Sequence, residues 1–280
     1  SLGLVGSEMC IRDSSGSEID KGRGNANILM SRLLRDASAP VAIASIDGGR
    51  KDNAIPRECT AQIIVAPDEA AAVKASIEQA AAEIADEFKA SDPDLKLTVS
   101  EETDCSESAI SAKDSARVIA LIEALPNGII RMSREIDKLV ETSLNLGVLK
   151  SDDAAVILRY AVRSSVGVAK KSLKNQLVCI AGAFAAEVTF EGDYPAWEYK
   201  KDSKLREDMV RIFEEMYGKK PTIEAIHAGV ECGLLSGKIE GLDCISMGPD
   251  MYDIHTTEER LSISSAKRSY EYILRVIACK

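Results

Sequence analysis

Between residues 41 and 66 two short β-branched runs, VAIASID (41–47) and TAQIIVA (60–66), flank a turn-rich GGRKDNAIPRE, and an amphipathic stripe comes directly after them. Ile77, Ala81, Ile84 and Phe88 recur at i, i+4, i+7 and i+11, the spacing of one helix face over 69–89. Two strands in need of ladder partners, next to a helix with a single apolar face, leave few solutions. The simplest is a sheet with a helix laid across it.

The same alternation continues. LKLTVS (95–100) predicts a further strand, and Val118, Leu121 and Ile122 share one face of a helix over 111–124. SLNLGVL (143–149) and AAVILRYAV (154–162) read as adjacent strands with KSDD as the hairpin turn, and 166–183 reads as a second packing helix. The expectation is an α+β layer, one sheet with helices on one face.

Composition shifts at EGDYPAWEYKKDS (191–203), which holds the only Trp, and this marks a domain boundary. Beyond it, Leu205, Met209, Ile212 and Met216 line one stripe of a helix over 203–217, with Gly218 as its stop. Two strands, PTIEAI (221–226) and LDCIS (242–246), and a last helix from about Ser265, capped by Ser264 or Ser265, complete the pattern. Two strands and two helices make a thin domain, more comfortable inside a larger α/β sheet. The opening SLGLVGSEMCIRDS has a pattern that stops at Ser14 and resembles a translated sequencing adapter, so residues 1–14 are expected to be foreign to the fold.

Charge and composition exclude several function classes. With 45 acidic against 35 basic residues and no Lys/Arg cluster interleaved with aromatics, nucleic acid is not an expected partner. No apolar run approaches the ~20 residues of a membrane-crossing helix. The seven cysteines are scattered and form no CxxC pair, a pattern that suits a reducing cytoplasm better than a disulfide framework.

Only two histidines are present. His255 stands in GPDMYDIHTTEER (248–260), where a Gly-Pro turn could fix the loop and Glu258 and Glu259 could orient an imidazole bound to metal. His227 lies in IHAGVECG, beside Glu231 and Cys232, where a Cys232/His227 nucleophilic pair is conceivable and a packed or surface histidine is the plainer reading. A two-metal hydrolase needs several carboxylates and more than one histidine, and no HxD or HExxH motif supplies them.

Together SGSEIDKGRGNANILMSRLL (15–34), GGRKDNAIPRE (48–58), LPNGIIR (125–131), VETSLNLGV (140–148), GDYPAWEYKKDS (192–203), IHAGVECGL (226–234) and GPDMYDIHTTEER resemble the aminoacyl-histidine dipeptidases, also known as Xaa-His dipeptidases, bacterial carnosinases or cytosol non-specific dipeptidases. The resemblance implies a di-zinc exopeptidase with an α/β catalytic domain and an α+β lid that mediates dimerisation. Residues 15–191 look like the lid and 192–280 like the C-terminal part of the catalytic domain. The part that carries the HxD ligand motif, the bridging Asp and the paired glutamates in the family is not matched, so no catalytic acid or base is expected in this chain.

By the same resemblance His255 is a zinc ligand in a motif that usually reads GPxxxxxHSPDE, here with Thr256, Thr257 and Glu258 after the His. Asn53 in NAIPRE, Arg163 in YAVRSS and Glu231 in HAGVECG match residues that bind substrate, the Arg at the dipeptide carboxylate. A lid histidine of the GGHSGGEI type is replaced by Ser14 in DSSGSEI. The expectation is therefore a zinc dipeptidase of small dipeptides, Xaa-His among them, present as a homodimerising fragment that is inactive alone. The alternatives are a non-catalytic dimerisation or peptide-binding module, and a cysteine hydrolase built on Cys232.

Overall fold

A computed structural model describes residues 2–8, 15, 19–101, 108–152, 154–225, 231–253 and 258–279, the first stretch by its backbone alone. The chain divides into two compact units, the first running to Gly192 and the second beginning at Asp193.

The first unit is a seven-stranded sheet with helices over one face. In chain order its described elements are β1 (Leu2–Glu8), α1 (Ala26–Arg35), β2 (Ala42–Gly48), β3 (Glu58–Ile64), α2 (Ala70–Phe88), β4 (Lys96–Glu101), α3 (Ala112–Ala124), β5 (Gly128–Met132), β6 (Val140–Ser151), β7 (Val156–Ser164) and α4 (Gly167–Ala183). The strand order is β4-β1-β3-β2-β6-β5, with β7 on the other side of β6, and every pairing is antiparallel.

The alternation read from TAQIIVA explains why only one face carries helices. β3 buries Cys59, Ala61 and Ile63 and turns Glu58, Thr60, Gln62 and Ile64 away from the core. Onto that face α1 sets Leu29, Met30 and Leu33, α2 sets Val73, Ile77 and Ile84, and α3 sets Ile119 and Ile122, all in one cluster with Leu146 and Leu149 of β6. A smaller cluster joins Leu144 of β6 to Leu173 and Leu177 of α4. The hairpin between β6 and β7 closes through Asp152, whose Oδ1 accepts from the amides of Ala154 (2.8 Å) and Ala155 (2.9 Å).

One expectation is corrected here. Leu2–Glu8, read from sequence as standing outside the fold, occupies the place between β3 and β4, with Gly6 opposite Thr60 on one side and Thr98 on the other. A strand in the middle of a ladder is held by its own amide and carbonyl groups, so membership does not require a distinctive side-chain pattern.

In the second unit the described elements are α5 (Lys204–Tyr217), α6 (Glu231–Lys238), β8 (Met251–Tyr252), β9 (Arg260–Leu261) and α7 (Ile263–Ala278). Helix α5 stops at Gly218, in the left-handed region at φ 66°, as its sequence requires. Its start is doubly capped. Ser203 Oγ accepts from Arg206 N (3.0 Å) and donates to Asp243 Oδ1 (2.7 Å), while Asp243 Oδ2 accepts from Leu205 N (3.0 Å). Helix α7 packs on α5 through Tyr272, whose hydroxyl donates to the Met209 carbonyl (2.6 Å) and whose ring meets Phe213 edge-on.

Its cap is Ser262, two to three residues before the position expected, with Oγ accepting from Ser265 N at 3.3 Å. The strands expected at 221–226 and 242–246 are absent among the described residues. Residues 221–225 and 242–246 are without secondary structure, because a β-favouring sequence becomes a strand only beside a ladder partner.

Candidate functional site

Asn53 sits on the turn between β2 and β3, and the buried side chain that fixes this turn comes from far along the chain. Asn145 of β6 donates through Nδ2 to the carbonyls of Asp52 (3.1 Å) and Ala54 (2.8 Å), the residues on either side of Asn53. Its Oδ1 in turn accepts from Asn25 Nδ2 (3.1 Å), which also reaches the Leu146 carbonyl (3.1 Å). Asn25 is the N-cap of α1, its Oδ1 accepting from the amides of Asn27 (3.1 Å) and Ile28 (3.2 Å). A helix cap, a central strand and the exposed turn thus form one polar network, with the Asn53 carbonyl accepting from Ser15 N at 3.1 Å.

Gly147 makes the close approach possible. A Cβ there would stand 2.4 Å from both Cα and O of Asp52, so any other residue would push the turn off the strand. Gly49, at φ 73°, enters the same turn with its Cα pointing at the Gly147 carbonyl, 2.0 Å from where a Cβ would be.

Arg163 lies on β7 opposite Ser143 of β6, one pair along from Leu144 and Val162. It is half-buried, and its Nε is enclosed with no hydrogen-bond partner among the described residues. Burial pulls the guanidinium below its ordinary range, and the nearby Asp52 carboxylate opposes that shift, so the charge stays on the arginine at neutral pH. Asp52, beside Asn53 on the turn, is thus near enough to Arg163 to act on its charge. A half-buried, incompletely satisfied guanidinium is suited to a carboxylate that brings its own acceptors.

The other expected residues lie elsewhere. Glu231 opens α6 in the second unit, with its side chain exposed. His255, His227 and Ser14 lie outside the described residues. Among the described residues no group of three or more His, Cys, Asp or Glu is placed to hold a metal ion, so these residues by themselves do not fit zinc. Cys232 is buried, and burial together with a hydrogen bond to the Cys244 thiol pushes its own thiol up to about 11. It is therefore protonated at neutral pH unless a base draws its proton, and the described residues place no histidine base beside it.

Resemblance pointed to Asn53 and Arg163, and sequence reasoning did not single out Asn25, Asn145 or Gly147, which hold the turn of Asn53. The signal for them was present in NAN at the head of an apolar run and in NLG within a strand, where an Asn and a Gly interrupt β-branched residues.

Comparison with known proteins bears on the fold and its family. Residues 11–92 match the peptidase dimerisation domain. The chain is 32% identical over 253 residues to the cytosol non-specific dipeptidase of Escherichia coli (strain K12), a match covering 90% of this chain and 52% of that protein. Its fold superposes on the aminoacylhistidine dipeptidase from Vibrio alginolyticus with a TM-score of 0.87 at 28% identity, covering 99% of this chain and 57% of the other. The chain thus spans about half the length of the relatives it matches. By sequence and by fold the chain is similar to the aminoacylhistidine and cytosol non-specific dipeptidases, and residues 11–92 of it match a peptidase dimerisation domain.

Proposed function

We propose that this chain is the lid and C-terminal part of a cytoplasmic zinc dipeptidase acting on small dipeptides, Xaa-His among them, and that its own contribution is substrate recognition. The observation that carries the reading is Arg163, a half-buried guanidinium whose enclosed Nε lacks a partner among the described residues, with the Asp52 carboxylate of the Asn53 turn near enough to act on its charge. In this role Arg163 grips the dipeptide carboxylate through two N–H groups and Asn53 supplies a further polar contact, holding the scissile amide at a fixed distance from the carboxylate.

His255 is the residue by which the chain would bind zinc and Glu231 a further substrate contact, both on resemblance. One ligand cannot hold two zincs, so the chain alone is inactive in this reading. The first unit pairs two copies into a homodimer, in keeping with the match of residues 11–92 to a dimerisation domain. That match also favours the second reading, a dimerisation or peptide-binding module with no chemistry of its own.

An NMR titration of the chain with glycyl-histidine and with its C-terminal amide separates the two. Recognition through Arg163 predicts shifts at Asn53 and Arg163 for the acid only, and Arg163→Met weakens binding by about 10–100-fold. Equal binding of acid and amide, or no effect of Arg163→Met, overturns the dipeptidase reading and leaves the module.

A further inference from the structure

Two free thiols of the second unit meet. Cys232 is buried in the first turn of α6, and Cys244, beyond the end of that helix, is half-buried. Their side chains are in hydrogen-bonding contact. The other described cysteines stand elsewhere in the fold, Cys59 and Cys179 in the first unit and Cys279 exposed at the end of α7.

The chain reversal after α6 accounts for the meeting. Ile239 N donates to the Leu235 carbonyl (2.9 Å) and Leu242 N to the Ile239 carbonyl (3.3 Å), with Gly241 in the left-handed region at φ 73°. From Lys238 back to Cys232 the helix spans about 9 Å, a distance that three extended residues cover. The returning strand of chain is then pinned at that level. Asp243 accepts from Ser203 Oγ and Leu205 N, and Lys200 Nζ donates to the Gly241 carbonyl (3.3 Å).

Helix α6 is held as well. A Cβ at Gly233 would stand 2.7 Å from the Pro195 carbonyl, and one at Gly237 3.1 Å from Pro195 Cγ. Packed this closely against Pro195, the helix has little room to turn Cys232 away from Cys244.

We propose that Cys232 and Cys244 form a redox modification site, which closes to a disulfide on exposure to a small-molecule disulfide such as oxidised glutathione. The chemistry balances in two exchanges. Cys244, the thiol that solvent reaches, loses its proton and attacks one sulfur of the oxidant, giving a mixed disulfide and one glutathione thiolate. Cys232 then loses its proton and attacks the Cys244 sulfur, and the second glutathione leaves as its thiolate. The protein gives up two electrons and two protons, and the oxidant takes up both to become two thiols. The link fastens the turn that bears Glu231 to the α5 cap through Asp243 and Ser203, and it stands whether or not the chain belongs to a dipeptidase.

The test is to incubate the full chain with oxidised glutathione, block the remaining thiols with iodoacetamide and map tryptic peptides without reduction. Lys238 lies between the two cysteines, so trypsin leaves them on separate peptides that only a disulfide joins. The expected product is this joined pair, ~2 Da lighter than the sum of its two peptides and free of glutathione, and dithiothreitol separates it. Amide exchange over 231–247 should slow by about tenfold or more in the oxidised chain. Cys232→Ser should stop at a glutathione adduct on Cys244, and Cys244→Ser should leave Cys232 reduced.

A lasting glutathione adduct on Cys244 of the unaltered chain overturns the proposal, because it means that Cys232 does not resolve it. So do thiols at both positions that stay free once Cys179 and Cys279 have reacted, and a link from either residue to another cysteine in greater yield.

Discussion

Asn25 and Asn145 meet side chain to side chain at 3.1 Å, although 120 residues separate them. Through this contact the cap of α1 and the turn bearing Asn53 are held by the same residue of β6. Asn145→Ala would remove the side-chain donor to the Asp52 and Ala54 carbonyls and leave the Asn25 amide with the Leu146 carbonyl alone, and we expect a loss of about 2–3 kcal/mol in urea unfolding. Asn145→Asp keeps the shape but turns a carboxylate oxygen toward two carbonyls, so it should be no more stable than the Ala variant. Wild-type stability of either would show that the network does not hold the turn.

Gly147→Ala tests the position of the turn separately. The added methyl meets Asp52 backbone 2.4 Å away, where no side chain can yield, so the turn must shift. We expect about 1–3 kcal/mol of destabilisation. Glycyl-histidine titration shifts at Asn53 should also be lost while the core resonances of α2 stay in place. Unchanged shifts at Asn53 would mean that its position does not matter for binding.

The cap of α5 makes the second unit sensitive to acid. Burial alone would raise the Asp243 carboxyl, but the Ser203 hydroxyl, the Leu205 amide and the charges of Lys200 and Arg206 outweigh it and hold the group below the ordinary carboxylate range. A carboxyl depressed on folding stabilises above its unfolded value of ~3.9 and loses that contribution as pH falls through the lower folded value. Trp197, the only tryptophan, reports the second unit. Its fluorescence should show Asp243→Asn about 1 kcal/mol less stable than wild type at pH 7, with the difference shrinking as pH falls below the ordinary carboxylate value. A difference that persists in acid would assign the effect to packing instead of charge.

Thiol reactivity should track burial. Cys179 and Cys279 are exposed, whereas Cys59 is buried and pushed far above its ordinary value by desolvation and the nearby Asp47. At pH 8 iodoacetamide is expected to modify Cys179 and Cys279 within minutes and to reach Cys59 and Cys232 only in denaturant, as read by peptide mass mapping. Rapid labelling of native Cys232 would reopen a nucleophilic role for it.

The helices that read clearly in the sequence were those with a sustained stripe. Ile77, Ala81 and Ile84 do lie buried on α2, and Ile212 of the 203–217 stripe is buried on α5. Helix α1 was hidden because its apolar residues, Ile28 to Met30 and Leu33 to Leu34, fill a short segment whose start is marked only by Asn25. Strand β5 was hidden because Ile129 and Ile130 are adjacent and both exposed, which gives no period-two signal. At the candidate site, Asn53 and Arg163 were singled out only through resemblance. The contact of Asn145 with the Asp52–Ala54 turn depends on how distant strands register, which local spacing does not encode.

Strand β6 is hydrogen-bonded to β2, β5 and β7. During synthesis β2 is made early, yet its outer neighbour does not exist until residues 149 and 150 have emerged. Until then the edge of β2 is open and the α1 cap has no Asn145 to hold. Closure of the first unit is therefore a late event that depends on contacts distant in sequence, which favours slow folding and leaves the nascent sheet exposed to mispairing. A pause in translation just before β6 would lengthen that exposure, whereas one after β7 would not.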